Sequence, residues 1–295
     1  WNVLNGDLPL PLAVIRRDAL DGNLKWMQGF ADGQGVGLAP HGKTTMSPQL
    51  FRRQLEAGAW GLTFATVGQL RAGVAAGATR CIIANQVFRA IDLQGIDDLK
   101  RAHSGLSVAF LVDSLEQLAL IEAWNATSKG AQPQDVLLEI GVDGGRTGCR
   151  NQEQALALAQ RMRASTATRL IGIECYEGLG ATGQTGPDTA YAQALMKRVR
   201  DIALACDEQQ LFEADVVLLT AGGSAIFDLV ADHLKLKLSR PVQGLLRSGC
   251  YVTHDHGTYQ RHMSSVAQRM GCGHGLHAAM EVWEAVQSCP EPGMA

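Results

Sequence analysis

The sequence contains no run of apolar residues close to the roughly 20 that a helix needs to cross a bilayer. Its N-terminus also lacks the basic start, apolar stretch and small-residue cleavage site of a secretory leader. Both absences argue against a membrane-spanning or secreted protein. We therefore expect a cytoplasmic location.

An excess of positive charge is also missing. The formal net charge is -3, and the lysines and arginines are scattered along the chain rather than clustered. Such a distribution provides no general attraction to nucleic-acid phosphates or to anionic lipid. We predict that the protein acts on a small molecule and binds neither nucleic acid nor a membrane.

Closely paired cysteines are absent as well. The seven cysteines are odd in number and widely spaced, and no Cys-x-x-Cys pair occurs. This pattern favours reduced thiols over disulfides. Two histidine-containing strings, THDH (253–256) and CGHGLH (272–277), have no partner cluster at metal-ligand spacing, so we predict no metal site from them.

The sequence does contain a regular alternation of short apolar runs and helix-like stretches. Hydrophobic residues make up 46% of the 295 residues, which is ordinary for a globular α/β protein. We interpret as strands the residues 36–40, 61–67, 81–87, 106–113, 136–143, 170–177, 216–223 and 242–249. Eight parallel strands separated by helices are the number that closes a (β/α)8, or TIM, barrel. An open doubly wound sheet stays an alternative, because the sequence does not reveal strand order.

Residues typical of helix N-termini lie between these apolar runs, and both ends of the chain lie outside the eight runs. Ser47 followed by Pro48 is typical of a helix N-cap and first residue, and Asn151 precedes another helical stretch. Residues 10–17 form an additional strand-like run before the barrel. We predict a barrel domain over residues 18–260. Residues 1–17 and 261–295 would be portions of a β-domain that is truncated at the C-terminus.

One lysine lies where barrels place their reactive groups, at the C-terminal ends of the strands. Of the seven lysines only Lys43 follows a strand end, in the string APHGKTTMSP and two residues after His41. A lysine that is partly desolvated in a barrel mouth has a lowered pKa and attacks aldehydes. The alternative interpretation is an ordinary surface-loop lysine.

Two glycine-rich strand ends form a candidate anion site. Gly222, Gly223 and Ser224 end the seventh strand before an expected helix, and Gly249 and Tyr251 follow the eighth. Backbone N–H groups in such turns and at helix N-termini bind anions, and these loops are the frequent phosphate site of barrels. A lysine and a phosphate nest at one barrel mouth indicate pyridoxal phosphate (PLP).

Two further side chains lie at strand ends. Arg146, in the glycine-rich string EIGVDGGRTGC, supplies fixed donors for a phenolate or a carboxylate. Tyr176, in the string CYEG, offers an aromatic face against which a pyridine ring can pack. A surface ion pair for Arg146 and an ordinary rim position for Tyr176 stay open as alternatives.

Several of these strings occur together and in order: PHGKTTMSP, FATVGQL, ANQVF, EIGVDGGRTGC, ECYEG, AGGS and LRSGCYVTHDHGTY. In combination they resemble the bacterial D-serine deaminase and D-threonine aldolase family of alanine-racemase-like PLP enzymes, over nearly the whole chain. The forms LAPHGKTTMSP and LRSGCYVTHDHG are more similar to the deaminase branch.

The resemblance implies a fold-type-III PLP barrel with a second β-domain built from both chain ends, and it is compatible with a homodimer. It implies that Lys43 forms the Schiff base with PLP, that Arg146 faces the cofactor and that Tyr176 lies against its ring. We also expect His41, which lies two residues before Lys43, to be one of the cofactor-binding residues. The phosphate region implied by the resemblance comprises Gly222, Gly223, Ser224, Gly249 and Tyr251.

The same resemblance implies a lyase that acts on D-amino acids. Its deaminase branch converts D-serine to pyruvate and ammonia, whereas its aldolase branch cleaves D-threonine to glycine and an aldehyde, and Lys43 serves both. Family members carry a C-terminal His-x-Cys or His-x-Asp pair that binds a divalent metal, and no such pair occurs in this sequence. We predict D-serine deamination, with aldolase, racemase and non-catalytic PLP binding as alternatives.

Overall fold

The computed structural model describes residues 1–271 and 275–294. Its strands are β1 (Leu12–Ile15), β2 (Gly37–Leu38), β3 (Leu62–Phe64), β4 (Arg80–Gln86), β5 (Ser107–Val112), β6 (Gln134–Ile140), β7 (Thr168–Cys175), β8 (Val217–Ala221), β9 (Val242–Leu246) and β10 (Met280–Trp283). Its α-helices are α1 (Arg17–Gln34), α2 (Pro48–Glu56), α3 (Val67–Ala75), α4 (Ala90–Ala102), α5 (Leu115–Thr127), α6 (Gln152–Ala164), α7 (Thr185–Glu208), α8 (Phe227–Val230) and α9 (Thr258–Met270).

Strands β2 to β9 form one parallel sheet in the order β2-β9-β8-β7-β6-β5-β4-β3. Its two edges meet, because His41 and Thr63 form a parallel bridge and the N–H groups of Trp60 and Thr63 donate to the carbonyls of Leu38 and Pro40 at 2.7 and 2.9 Å. The sheet is a nearly closed eight-stranded barrel. The predicted (β/α)8 fold is therefore confirmed, and each of the eight predicted runs overlaps one barrel strand.

The barrel strands are apolar on both faces because both faces are covered. Side chains alternate along a strand, so Ile82 of β4 points to one side while Cys81 and Ile83 join the core beneath the helices. The smaller cluster, which fills the barrel interior, consists of Ala39, Ile82, Ala109, Leu111, Leu137, Ile171, Leu218 and Leu245. This packing accounts for the unbroken apolar runs of the sequence.

The predicted helix starts are confirmed by their caps. The Ser47 hydroxyl accepts the N–H of Leu50 at 3.4 Å, and Pro48 is the first residue of α2. The Asn151 side chain accepts the N–H of Gln154 at 2.8 Å at the start of α6. Each cap satisfies an N–H group that the helix itself leaves unpaired.

The two chain ends meet in a small antiparallel sheet, in which Leu12 of β1 lies opposite Trp283 of β10. The proposed domain boundary after residue 260 falls inside α9, and this helix is tied to α8 by the ion pair of Arg269 with Asp228. Among the helices of residues 1–271 and 275–294, none is long and apolar enough to cross a membrane.

Candidate active site

A cavity of about 440 Å³ opens where the barrel strands end. Seven of the residues predicted from the sequence line it: His41, Lys43, Arg146, Tyr176, Gly222, Ser224 and Gly249. They come from five strand ends that are far apart in the sequence, and the barrel brings them together because parallel strands all end at one mouth.

Lys43 lies in a 3-10 turn, Gly42–Thr44, directly after β2. The turn begins at His41, whose Nδ1 accepts the backbone N–H of Lys43 at 3.4 Å. Gly42 does not have the positive φ of a tight glycine turn; a Cβ there would lie 2.7 Å from a ring carbon of Phe64 and 2.9 Å from one of Phe51. Close packing, rather than backbone freedom, therefore requires this glycine.

The surroundings of Lys43 favour its neutral amine. Although Lys43 reaches solvent at the mouth, burial and then the positive charge of Arg146 lower its pKa. Burial, followed by the charge of Lys43, lowers the pKa of His41 to about 3. At neutral pH the imidazole is thus uncharged, and the amine is a better nucleophile than that of an exposed lysine.

Arg146 and Tyr176 lie against each other at the mouth. The guanidinium carbon of Arg146 is 4.8 Å from the centre of the Tyr176 ring, which is a cation–π contact. No carboxylate in the described part of the chain forms an ion pair with Arg146, so the surface ion pair is not the arrangement found. Burial raises the pKa of Tyr176, which keeps the phenol neutral.

The first two glycines of the predicted phosphate nest have their N–H groups engaged elsewhere. Those of Gly222 and Gly223 donate to the two carboxylate oxygens of Glu177 at 3.0 and 2.6 Å. Gly223 is buried and does not line the cavity, and neither does Glu177. These donors point away from the cavity.

Two other parts of the predicted nest differ from expectation. Helix α8 begins at Phe227, three residues after Ser224, and has only four residues, so it contributes little of the helix dipole that the sequence suggested. Tyr251 does not line the cavity, because it is buried and its hydroxyl accepts a hydrogen bond from Gln54 at 3.3 Å.

Three backbone donors at the cavity are free to bind an anion. Ser224, Gly249 and Cys250 line it, and their N–H groups have no acceptor among the described residues. A Cβ on Gly249 would lie 2.4 Å from the carbonyl oxygen of His41 and 2.9 Å from the Thr44 hydroxyl. Only glycine therefore lets this loop approach the Lys43 turn.

A buried ion pair that the sequence analysis missed also lines the cavity. Arg247 donates to the carboxylate of Glu174 and, at 2.7 Å, to the hydroxyl of Thr220. Burial raises the pKa of Glu174 to about 8. Glu174 Oε2 and Arg247 Nε have no partner in the ranges that the structure describes. Charged residues inside the apolar strings IGIECYE and QGLLRSG were the signal that could have identified them.

Thr147 is a further missed residue of the lining. Its hydroxyl donates to Glu139 at the end of β6, and the side-chain amide of Gln86 donates to the other oxygen of the same carboxylate. Burial raises the pKa of Glu139. With its proton committed to Glu139, the Thr147 oxygen presents an acceptor to the cavity.

No metal centre is found at this mouth or elsewhere in residues 1–271 and 275–294, where no group of three or more His, Cys, Asp and Glu side chains could hold an ion. Three residues of the CGHGLH string, Cys272, Gly273 and His274, lie outside the described residues.

The family model of the alanine racemase N-terminal domain matches residues 15–241. The chain belongs to this family. D-threonine aldolase of Arthrobacter sp. is 29% identical over 228 residues, which cover 74% of this chain and 56% of that protein. D-threo-3-hydroxyaspartate dehydratase of Delftia sp. (strain HT23) is 32% identical over 172 residues, which cover 58% and 44%. The chain thus spans about half the length of the curated relatives it matches.

Solved structures of the alanine racemase-like fold agree with this assignment. The D-threonine aldolase from Filomicrobium marinum superposes with a TM-score of 0.81 at 24% identity, covering 97% of this chain and 72% of that one. The D-threo-3-hydroxyaspartate dehydratase from Delftia sp. HT23 gives a TM-score of 0.67 at 27% identity, with coverages of 84% and 62%. The resemblance inferred from the sequence is therefore confirmed at the level of fold and family.

Proposed function

We propose that this chain is the PLP-binding barrel of a lyase that acts on D-amino acids carrying a β-hydroxyl group. The arrangement of groups in a single cavity supports the proposal. Lys43, with its lowered pKa, shares this cavity with the free N–H groups of Ser224, Gly249 and Cys250. An amine that attacks aldehydes and a cluster of anion-binding donors are what PLP requires.

The residues of the cavity fit this cofactor. The amine of Lys43 would hold its aldehyde carbon, and the three N–H donors would bind its phosphate. Arg146 would donate to the ring oxygen or to the substrate carboxylate, and Tyr176 would pack against the ring. Bound PLP supplies an electron sink for the α-carbon of an amino acid.

The protein's own side chains supply the proton transfer and the remaining contacts to the ligand. The Nζ of Lys43 accepts the α-proton of the substrate, because the lowering of its pKa leaves more of the amine neutral and able to take up a proton. His41 stays uncharged beside it and does not compete as a cation for the substrate carboxylate. The hydroxyl of Thr147 donates its hydrogen bond to Glu139, so the oxygen of Thr147 would be left to accept a hydrogen bond from the ligand.

We propose D-serine deamination as the reaction, in which the Cα–H and Cβ–O bonds break and pyruvate and ammonia are released. The strings LAPHGKTTMSP and LRSGCYVTHDHG support this choice, as does the similarity to a dehydratase of a β-hydroxy D-amino acid. Aldol cleavage of D-threonine, which breaks Cα–Cβ to give glycine and acetaldehyde, is the second candidate. It is favoured by the longer match to D-threonine aldolase.

The test has two stages. Borohydride should fix PLP to the protein through Lys43, and Lys43→Ala should abolish this linkage while a matched change in an exposed loop, Lys129→Ala, leaves it unchanged. The protein is then incubated with D-serine, D-threonine and alanine, with and without a chelator, and pyruvate, glycine and racemised alanine are measured. Pyruvate from D-serine supports deamination, whereas glycine from D-threonine alone replaces it with aldol cleavage. A PLP linkage that persists in Lys43→Ala overturns the assignment of this lysine.

A further inference from the structure

Glu177 is a buried carboxylate that the proposed chemistry does not use. Its side chain has no exposed surface, and each of its oxygens accepts one backbone N–H, Oε2 from Gly222 and Oε1 from Gly223. It directly follows Tyr176, which does line the cavity. The carboxylate therefore lies behind the loop after β8, on the side away from the ligand.

The loop fits closely around this carboxylate. A Cβ on Gly223 would lie 2.3 Å from Glu177 Oε1 and 2.7 Å from its carboxyl carbon, so only glycine lets the backbone come this near. The carbonyl of Gly223 accepts the hydroxyl of Ser248 at 2.6 Å. Gly223 is thus held through its N–H by one strand end and through its carbonyl by another.

Several groups act against the effect of burial on the Glu177 carboxyl. Burial raises its pKa, whereas the backbone N–H groups and the guanidinium of Arg247 lower it, and no side chain in the described residues forms a salt bridge with it. An ionised carboxylate at this depth keeps its charge only while such donors point at it. The loop and the carboxylate consequently hold each other in one conformation.

We propose that Glu177 is the positioning residue of the phosphate site. By taking the N–H groups of Gly222 and Gly223 it turns them away from the cavity and fixes the next donor, Ser224, at the cavity wall. The hydroxyl of Ser248 extends the same restraint to Gly249 on the neighbouring loop. The proposal rests on PLP being the cofactor, and it concerns the phosphate group alone.

Because this role concerns only the phosphate group, it can be tested by comparing ligands with and without the phosphate. Dissociation constants are measured for PLP and for pyridoxal, which lacks the phosphate, in the wild-type protein and in Glu177→Gln. The amide retains the shape of the side chain but presents an NH2 group to one of the two N–H donors. We expect the preference for PLP over pyridoxal to fall about tenfold, the equivalent of one lost charge-assisted hydrogen bond, with pyridoxal affinity unchanged.

Two further variants separate positioning from general stability. Gly223→Ala disturbs the same contact from the loop side and should lower the PLP preference likewise. Asp188→Asn is the matched control, because Asp188 is also buried and accepts the N–H groups of Thr182 and Gly183 in a loop that does not line the cavity. It should change thermal stability without changing the PLP preference.

The possible results distinguish a failure of this inference from a failure of the proposed function. If Glu177→Gln and Gly223→Ala both keep the wild-type preference, or weaken PLP and pyridoxal equally, Glu177 does not position the phosphate site, and the proposed function still stands. If one variant does not fold, the other decides. Failure of the wild-type protein itself to bind PLP overturns the proposed function and this inference with it.

Discussion

The reactivity of Lys43 is a property of its neighbours rather than of the lysine alone. The residue has solvent access, yet burial of part of its side chain and the positive charge of Arg146 lower its pKa. Cys250 acts in the opposite direction. A cation next to a lysine makes protonation less favourable, so more of the amine is neutral at a given pH.

This arrangement predicts the effect of removing Arg146. In Arg146→Gln the pKa of Lys43 should rise towards its ordinary value, because one of the two largest causes of its lowering is gone. The pH midpoint for the rate at which the amine captures PLP should therefore move to higher pH. Stopped-flow absorbance across a pH series measures this midpoint, and Arg150→Gln, whose guanidinium donates to the carbonyls of Gly145 and Thr147, is the control. An unchanged midpoint in Arg146→Gln would show that the charge of Arg146 does not act on the amine.

Sequence reasoning identified those site residues whose role depends on where a strand ends. Lys43, Arg146 and Tyr176 follow strand ends, and all three line the cavity. It did not identify which way a polar group points, because that depends on partners far along the chain. The Tyr251 hydroxyl accepts a hydrogen bond from Gln54, and the N–H of Gly223 donates to Glu177. Neither pairing leaves a pattern in the local sequence.

At the scale of elements, the strands could be predicted and the loops between them could not. A strand covered on both faces needs a continuous apolar run, and such runs mark β2 to β9 in the sequence. The region after β8 suggested a helix N-terminus at the phosphate nest, but α8 has only four residues. Its conformation is set instead by the Glu177 carboxylate and the Ser248 hydroxyl.

The turn that carries Lys43 shows how tightly such loops are packed. Gly42→Ala should lower the free energy of unfolding by about 1–3 kcal/mol, because the new methyl group would lie within 3 Å of both Phe64 and Phe51. Urea unfolding measures the loss. Gly33→Ala, in α1, is the control with the opposite sign, since nothing lies within 4 Å of its Cβ and alanine is favoured over glycine in a helix by about 0.5–1 kcal/mol. Equal effects of the two substitutions would contradict the packing argument.

At the scale of the whole molecule, both chain ends are attached to the barrel. β1 precedes α1 and pairs with β10, and α9 packs beside the loop after β8. Arg269 of α9 donates to both carboxylate oxygens of Asp228, at 2.6 and 2.8 Å, and to the carbonyl of Ala225 at 3.4 Å. The eight-stranded closure followed from counting apolar runs, whereas this attachment did not, because an ion pair across 41 residues leaves no periodic signal.

The Arg269 pair should therefore contribute to the stability of the whole barrel. Both side chains are nearly buried, at 7% and 5% exposure, so removing one charge leaves the other without compensation. We expect Arg269→Ala to lower the free energy of unfolding by about 3–5 kcal/mol, measured by urea denaturation. The double variant Arg269→Met with Asp228→Leu should regain most of this loss, because it removes both charges and keeps apolar volume.

An exposed pair provides the comparison. Lys197 and Asp201 form an ion pair on the surface of α7, with 75% and 40% of their side chains exposed, and Lys197→Ala should cost no more than about 0.5 kcal/mol. Solvent screens this exposed pair much more than it screens the nearly buried pair of Arg269 and Asp228. If Arg269→Ala proves as mild as Lys197→Ala, α9 is not held by this ion pair. Its attachment to the barrel then rests on its buried apolar residues Tyr259, Met263 and Val266 and on the hydrogen bond from the Ser265 hydroxyl to the carbonyl of Gly183.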